Sequence, residues 1–122
     1  MIKSWSAIER FYSDLGPQFS EAFFREAVAA VRSLAAYIAN GPLDPTLFGW
    51  TSMQDLCIQQ TDVEPYSGPF LRVSPQRGGA VEFRYHDTAI EGRQWSRLVP
   101  PEAVIGRFEA FLNQLHWMGR RF

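Results

Sequence analysis

The sequence contains a thiol at Cys57, an imidazole at His86 and a carboxylate at Asp87. These are the groups of a nucleophile, its general base and the acid that orients the base. In a nucleophilic enzyme the base must reach the nucleophile, and a third group must orient the base. His86 and Asp87 are adjacent on an expected β-strand, where consecutive side chains point to opposite faces of the sheet. The pattern therefore does not favour catalysis, and packing on a strand is the more ordinary role of a single cysteine.

Metal-binding and acid–base motifs are also not indicated. His86 and His116 lie on different expected elements and lack the spacing of metal-binding histidine pairs. The chain has one cysteine, which excludes an internal disulfide. Glu82 is expected to pair with Arg72, which leaves no second carboxylate beside it for acid–base chemistry. The sequence therefore predicts no catalytic residue, no cofactor and no metal site.

Charged side chains on two expected strands form the first candidate binding surface. They occupy alternate strand positions and so share one face of the sheet: Arg72, Glu82, Arg84 and His86. If helices cover the opposite face, this one meets either solvent or a partner. A solvated ladder of ion pairs, which contributes little to stability, is one interpretation. A recognition surface is the other, because arginine and aromatic side chains are enriched at binding hot spots.

The second candidate surface is the segment from residue 44 to residue 66, which we call the acidic stretch. It contains carboxylates beside Trp50 and Tyr66, and it contains no lysine or arginine. Carboxylates around aromatic side chains suit a basic partner, and a merely soluble loop is the alternative. From both surfaces together, the predicted partner-binding residues are Trp50, Asp55, Asp62, Glu64, Tyr66, Arg72, Arg84 and His86.

The composition is that of one ordinary domain spanning residues 1–122. Hydrophobic residues make up 46% of the chain and charged residues 20%, as is usual for globular proteins. A net charge of −1 argues against nucleic-acid binding. The apolar runs are short, so neither a membrane span nor a signal peptide is expected. These features predict a cytoplasmic protein that binds neither nucleic acid nor membrane.

Two amphipathic helices are predicted in the N-terminal third of the chain. The first begins at Ser6, which forms a capping box with Glu9, and ends at Gly16-Pro17. The second is capped by Ser20 and stops at Asn40-Gly41-Pro42. Their apolar residues recur at helical spacing, so each helix has one face for the core.

A third helix is predicted from about Pro101 to Met118 at the end of the chain. The proline suits the first turn of a helix. Gly119 is the expected C-terminal cap, and Arg120-Arg121 would lie at the negative end of the helix dipole. One side of this helix is apolar and is expected to pack on the sheet.

Four strands are predicted between the helices. Residues 41–52 are predicted to form a loop, because turn residues occur there. The strands are residues 53–60, 70–74, 80–87 and 93–99, chosen for their alternating polarity. Short connections between them favour an antiparallel meander.

The pairing of the central hairpin follows from its polarity. Setting Val73 opposite Val81 and Arg72 opposite Glu82 matches apolar with apolar and cation with anion, as cross-strand pairing favours. Residues 75–79 would then form the turn.

The register of the last strand is open. After a turn at Thr88–Gly92, Trp95 can pair with Tyr85 or with Arg84, depending on the loop length. A slip of one residue would move Trp95 from the core to the outer face, and either Trp95 or Arg97 could share that face.

The order of elements predicts an α+β fold. It is a two-layer sandwich in which a four-stranded antiparallel meander carries two N-terminal helices and one C-terminal helix on one face. The residues expected to be buried together in its core are Phe23, Val31, Leu34, Leu71, Val73, Val81, Phe83, Phe108, Phe111 and Leu115.

The C-terminal half of the chain combines a Gly-Gly turn and strand, an amphipathic closing helix and, between them, the segment Arg93-Gln94-Trp95-Ser96-Arg97-Leu98-Val99-Pro100-Pro101-Glu102. It resembles the C-terminal half of small bacterial immunity proteins from polymorphic-toxin and contact-dependent systems, in which a β-meander ends in a Val-Pro junction and a final helix. The resemblance implies a protein that binds and blocks one cognate toxin and has no catalytic residues. The two N-terminal helices have no matching counterpart in it.

The leading interpretation is therefore a non-enzymatic binding protein, an immunity-type inhibitor of a cognate bacterial toxin, with a basic toxin domain as the candidate partner. One alternative is a small enzyme or small-molecule-binding protein with a pocket between the N-terminal helices and the sheet. Another is a homo-oligomer, such as a homodimer, whose sheet faces pair. An enzyme requires a cleft with convergent polar groups, which an inhibitor does not need.

Overall fold

The computed structural model describes residues 2–66, 68–87 and 91–117. Its helices and strands follow one another along the chain in the order α-α-β-β-β-β-β-α. The elements are α1 (Trp5–Leu15), α2 (Ala22–Ala39), β1 (Phe48–Ser52), β2 (Asp55–Gln59), β3 (Phe70–Pro75), β4 (Val81–His86), β5 (Trp95–Val99) and α3 (Val104–Leu115).

The strands form one antiparallel meander in the order β1-β2-β3-β4-β5. The α+β class is therefore confirmed, but the sheet has five strands instead of the four predicted. The additional strand, β1, lies in the segment predicted as a loop. It pairs with β2 from Phe48↔Gln59 to Ser52↔Asp55. The hairpin turn between them contains Met53 at φ 57°, a left-handed conformation that no glycine or asparagine signals in the sequence.

The helix ends differ from the predictions by a few residues. Ser4, not Ser6, caps α1, since its hydroxyl accepts a hydrogen bond from the Ala7 N–H at 3.1 Å. The earlier start places Trp5 in the core, where its indole N–H donates to the Leu47 carbonyl at 2.9 Å. At the N-cap position of α2 stands Glu21 instead of Ser20, with no side-chain cap.

The last helix is shorter than predicted. A 3₁₀ turn at Pro101–Ala103 precedes α3, and α3 ends at Leu115. His116 adopts the left-handed conformation, φ 60° and ψ 35°, that closes the helix. Gly119 is therefore not the cap of this helix. Residues 118–122, on which the predicted cap and the two terminal arginines fall, lie outside the described residues.

The central hairpin is shifted by two residues from its predicted register. Val73 lies opposite Phe83, and Arg72 lies opposite Arg84 instead of Glu82. The turn sets this register, because the Gln76 N–H donates to the Ala80 carbonyl at 2.9 Å. A shift of two residues leaves every side chain on its predicted face, since side chains alternate with period two.

Trp95 faces the helices. It pairs with Tyr85, and its ring centroid lies 4.7 Å from that of Phe111 on α3. Arg97 is on the same side, with its guanidinium carbon 5.8 Å from the Trp95 ring centroid. Neither residue therefore belongs to the opposite face. Of the predicted turn before this strand, residues 88–90 lie outside the described residues.

The core lies between the helices and one face of the sheet. Eight of the ten predicted core residues are buried in it, but Phe23 is 64% exposed and Leu115 is only partly buried at its edge. The buried stripe of α2 includes Phe24 and Val31, and a neighbouring helical position is turned away by about 100°. Among the described residues, no helix is long and apolar enough to cross a membrane.

Candidate functional site

The sheet face turned away from the three helices, which we call the outer face, holds most of the predicted binding residues. Strand alternation fixes its membership, because cross-strand partners point to the same side. The outer-face residues include Trp50, Ser52, Asp55, Cys57, Gln59, Phe70, Arg72, Ser74, Glu82, Arg84 and His86.

Two guanidinium groups lie opposite each other at the centre of this face. Arg72 and Arg84 are direct cross-strand partners, an arrangement that is destabilising without counter-charges. Asp55 supplies one, since its Oδ2 accepts from Arg72 Nε at 2.7 Å and lies 3.9 Å from Arg84 Nη2. Ser52 also accepts from Arg72, at 3.2 Å. Asp55 is therefore mainly the partner of Arg72.

Aromatic side chains occupy the end of the outer face next to the arginines. Tyr66 contacts Trp50 and Phe70 edge to face, with ring centroids 5.0 and 5.2 Å away. On the other side of Phe70, the His86 imidazole stacks on its ring at 4.8 Å and 10°. Such pairs stabilise a structure beyond the area that they bury. The four rings therefore form a continuous aromatic row across the sheet.

Buried Gln59 holds the segment before β3 over this face. Its amide nitrogen donates to the carbonyls of Thr61 and Glu64, at 2.8 and 2.9 Å. Its amide oxygen accepts from the Tyr66 N–H at 3.2 Å, and Tyr66 has a left-handed backbone, φ 65°. The Gln59 side chain thus takes the place of the backbone hydrogen bonds of a regular turn. It holds the end of the acidic stretch beside the outer face, so that the two form one surface.

The predicted site residues differ in their access to solvent. Asp62 and Glu64 are exposed, and Tyr66 is 50% exposed, but Trp50 is only 3% exposed and lies beneath Tyr66. Trp50 is therefore enclosed beneath Tyr66 in the folded chain and supports the surface. Phe70 was not among the predicted site residues, although its position two residues before Arg72 placed it on the same face.

Three buried polar atoms in the described part of the chain have no hydrogen-bond partner, and all lie on the outer face of β3 and β4. They are Ser74 Oγ, Arg84 Nε and His86 Nε2. An unmade hydrogen bond at a buried group costs about 1–3 kcal/mol. The fold of this chain therefore leaves its unmet polar atoms together on the face that the helices do not cover.

Cys57 and His86 do not form a nucleophile–base pair. They lie on β2 and β4 with β3 between them, which separates the strands by about 10 Å. Cys57 is fully buried, and burial raises the pKa of its thiol to about 11. The group is therefore a protonated thiol within the sheet at neutral pH.

We expect the native protein to resist thiol modification, because the reactive thiolate is both scarce and enclosed. Ellman's reagent should react with Cys57 at the rate of global or local opening, and rapidly once urea unfolds the chain. A Cys57→Ser variant provides the blank and should keep the fold. Rapid, complete reaction of the folded protein would contradict this placement of the thiol.

Burial lowers the pKa of His86, and the positive charges of Arg84 and Arg72 lower it further. A hydrogen bond with Gln94 raises the pKa, but this effect is smaller. The unfolded chain therefore takes up a proton near pH 6.5 before the native state does. Stability from this group is present above that pH and is lost as the pH falls below it.

The free energy of unfolding in urea should accordingly decrease from pH 7.5 to pH 5.5. A His86→Gln variant should have a smaller decrease over the same interval. Equal pH slopes for the two proteins would show that His86 does not titrate differently in the folded and unfolded states.

Of the open cavities that lie away from the outer face, smaller ones are lined by carboxylates such as Glu9 and Glu26, and two larger ones are not. One, of about 510 Å³, lies between α1 and α2 beside Tyr12 and Arg32. The other, of about 590 Å³, lies between β5 and the end of α3 beside Trp95 and His116. The lining residues described for both include no carboxylate and no thiol, and the Tyr12 hydroxyl already donates to the Gln54 carbonyl at 3.0 Å.

Comparisons of the chain with models of protein families, with curated proteins and with solved structures found no match.

Proposed function

We propose that this chain is a non-enzymatic protein-binding module that contacts its partner through the outer face. The observation that carries the proposal is the cluster on this face, where a half-exposed tyrosine, two arginines and unmet polar atoms lie together. Tyrosine and arginine are the residues on which binding energy concentrates in protein interfaces. Buried polar atoms in native proteins almost always have a hydrogen-bond partner. The buried atoms without one therefore favour a binding surface over a merely solvated sheet face.

The charges around this cluster favour a partner with a basic surface. Asp62 and Glu64 are exposed beside Tyr66, and the chain from residue 41 to residue 71 has no cation. Arg72 is neutralised by Asp55 at 2.7 Å. The rim of the outer face is therefore negative, and complementary charge accelerates the encounter with a positive surface.

Within this class, we propose an immunity-type inhibitor that neutralises a bacterial toxin domain in the cytoplasm. The support is the resemblance of the segment Arg93–Glu102, which contains β5 and enters the 3₁₀ turn before α3. The inhibitor would act by covering the toxin's active site or by holding it in an inactive shape. Such a role needs a shaped surface and no catalytic group.

The alternatives make different demands on the molecule. A small enzyme would need an acid, a base or a nucleophile in a cavity, and the cavity between β5 and α3 would offer it the His116 imidazole without a carboxylate or a thiol in its lining. A homodimer through the outer face would bury Tyr66, which is 50% exposed in the single chain. Light scattering of the purified protein separates a dimer from a monomer before any partner is tested.

The decisive experiment is co-expression with the open reading frame next to the gene for this chain. If that frame encodes a toxic domain, the wild-type chain should restore growth, and purified complexes should contain both proteins in a fixed ratio. A Tyr66→Ala, Arg84→Gln double variant that folds should restore growth poorly. Toxicity that the wild-type chain does not relieve would overturn the inhibitor proposal.

Reversing the rim charges should slow binding. In an Asp62→Lys, Glu64→Lys variant, we expect the association rate to fall and to lose its dependence on salt, because rim charges act through encounter. The free energy of unfolding should change by no more than about 0.5 kcal/mol, as for most exposed positions. Stopped-flow binding to the toxic domain over a series of salt concentrations measures both effects.

The matched control is an Asp14→Lys, Glu26→Lys variant, which makes the same charge change on the exposed side of α1 and α2. It should retain most of the wild-type association rate, since those positions lie on the helical layer. Equal slowing by both variants would mean that only net charge matters and that the rim is not at the interface.

A further inference from the structure

We infer that an extended segment of the protein partner joins the sheet as a sixth strand along β5, with an acidic side chain opposite Arg97. The inference deepens the proposed function and rests on it, because it names the part of the partner that meets one border of the outer face. Three observations carry it: the sheet has one unpaired edge, the backbone of that edge points hydrogen-bonding groups outward, and the charge along it is positive.

The two edges of the sheet differ in how the chain treats them. The edge strands are β1 and β5, because the strand order is β1-β2-β3-β4-β5. The chain itself covers β1, where the Lys3 N–H donates to the Gly49 carbonyl at 2.8 Å in an isolated bridge. No segment of the described residues pairs with the outward side of β5, which we call the open edge. An unpaired edge strand is a template for another strand.

The backbone groups that point to the open edge follow from a proline on β3. Pro75 has no N–H, so its pair with Val81 is not a hydrogen-bonded one, and Val81 turns its backbone groups toward β5. Its partner there is Val99, whose groups therefore turn toward β4. Because successive residues of an antiparallel strand alternate, the N–H and C=O groups of Leu98 and Ser96 point to the open edge.

The Arg97 side chain lies across the open edge. Its Nη1 donates to the Ser96 carbonyl at 2.9 Å, so the chain's own arginine occupies one of the outward acceptors. The rest of the guanidinium is exposed on the helix side, 5.8 Å from the Trp95 ring centroid. An incoming strand that donates to the Ser96 carbonyl would release this guanidinium for a new contact. Arg97 is thus the first side chain that such a strand meets.

The charge along the open edge favours an acidic strand. Residues 92–100 contain Arg93 and Arg97 and no carboxylate, and both arginines are exposed. None of the ion pairs in the described part of the chain includes either of them. A carboxylate placed opposite Arg97 would form a charge-assisted hydrogen bond and a favourable cross-strand pair.

The side chains of β5 also define the neighbouring position of the incoming strand. Leu98 lies on the outer face, opposite Glu82, and is 69% exposed. The residue beside the acidic one would point to this face, since strand side chains alternate, and an apolar side chain there would cover Leu98. We therefore expect acidic and apolar side chains at adjacent positions of the partner strand. The same partner would present its basic surface to the rim.

A second copy of this chain fits the open edge poorly. Arg97 is the middle residue of β5, Trp95–Val99. Antiparallel pairing of the whole strand with its own copy would therefore place Arg97 directly opposite Arg97 of the other copy. Like charges in this position are destabilising. The observations thus favour a strand from a different protein over a dimer through β5.

Hydrogen exchange in the complex tests the position of the added strand. We would follow the backbone amides of the ¹⁵N-labelled full chain by NMR, alone and saturated with the toxic domain of the co-expression experiment. The amides of Ser96 and Leu98 should exchange rapidly in the chain alone, and this rapid exchange should be lost in the complex. The amides of Arg97 and Val99 face β4 and serve as the internal reference, since they are protected in both states.

A proline at the open edge tests the backbone contact by itself. Ser96→Pro removes an outward N–H, and proline is tolerated where the nitrogen of an edge strand faces away from the sheet. The affinity for the toxic domain should fall by about 10-fold, because a carbonyl of the partner loses its donor. Ser96→Ala is the matched control: it keeps the N–H and should bind as the wild type does.

A charge reversal tests the acidic side chain without changing the backbone. Arg97→Glu should weaken binding to the toxic domain, because it places a carboxylate opposite a carboxylate. Arg107→Glu makes the same change at an exposed position of α3 and should leave the affinity unchanged. This comparison holds whether or not the Ser96→Pro variant folds.

Three outcomes would overturn the inference. The first is a complex in which Ser96 and Leu98 still exchange rapidly. The second is equal weakening, or no weakening, by Arg97→Glu and Arg107→Glu. The third is protection of Ser96 and Leu98 in the chain alone that increases with its concentration, which would indicate a second copy. Failure of the wild-type chain to bind the toxic domain would contradict the proposed function and this inference with it, whereas the first two outcomes are seen with binding by the wild type intact.

Discussion

The substitutions Phe83→Ala and Phe111→Ala should each lower the free energy of unfolding by about 3–5 kcal/mol, the range for buried phenylalanines. Phe83 lies on β4 and is fully buried, and Phe111 lies on α3 and is 4% exposed. Their rings meet edge to face with centroids 5.1 Å apart. Each substitution therefore opens a cavity where the last helix packs on the sheet. Urea unfolding followed by circular dichroism measures the loss.

Phe23→Ala is the matched control, since it removes the same side chain from a position that is 64% exposed. Its effect should stay near the small values of surface substitutions, about 0.5 kcal/mol. A loss as large as that of Phe83→Ala would contradict an orientation of α2 in which Phe23 points to solvent. Wild-type stability of both Phe83→Ala and Phe111→Ala would contradict the two-layer packing itself.

Replacing Tyr66 by alanine should raise the dissociation rate of the partner complex by about 30-fold, because a hot-spot residue contributes about 2 kcal/mol or more. Tyr66 is the half-exposed member of the aromatic row and rests on Trp50 and Phe70. Its ring is thus held in place before binding, which reduces the entropy that the contact costs. Surface plasmon resonance with the toxic domain measures the dissociation rate.

Tyr66→Phe separates the ring from the hydroxyl group. If the ring provides the contact, this variant should dissociate nearly as slowly as the wild type. Urea unfolding of both variants must accompany the measurement, because Tyr66 also covers Trp50. An unchanged dissociation rate for a folded Tyr66→Ala variant would remove the aromatic row from the interface.

The sequence by itself determined the class of the fold and the face on which most side chains lie. Period two put Leu71 and Val73 toward the helices and Arg72 away from them, and this assignment survived a two-residue error in register. The helical stripes likewise identified Val31 and Phe108 as core residues. These properties depend on local geometry, which a short window of sequence already contains.

Local patterns were not sufficient where two close alternatives differed only in their tertiary contacts. Phe23 and Phe24 are adjacent and equally apolar, yet only Phe24 faces the sheet, because the packing of the whole helix fixes its rotation. The strand β1 was missed because its turn uses Met53 with positive φ, a strain that the paired strands hold in place.

The candidate site was decided by the tertiary structure. The sequence offered an acidic stretch and a charged sheet face as two separate surfaces, and it contained no signal that would join them. Buried Gln59 joins them by binding the backbone of the segment up to Tyr66. These contacts are hydrogen bonds from one side chain to irregular backbone, which have no repeating pattern. A sequence read by its periodicity therefore cannot reveal them, whereas a folded chain must satisfy them because the amide is buried.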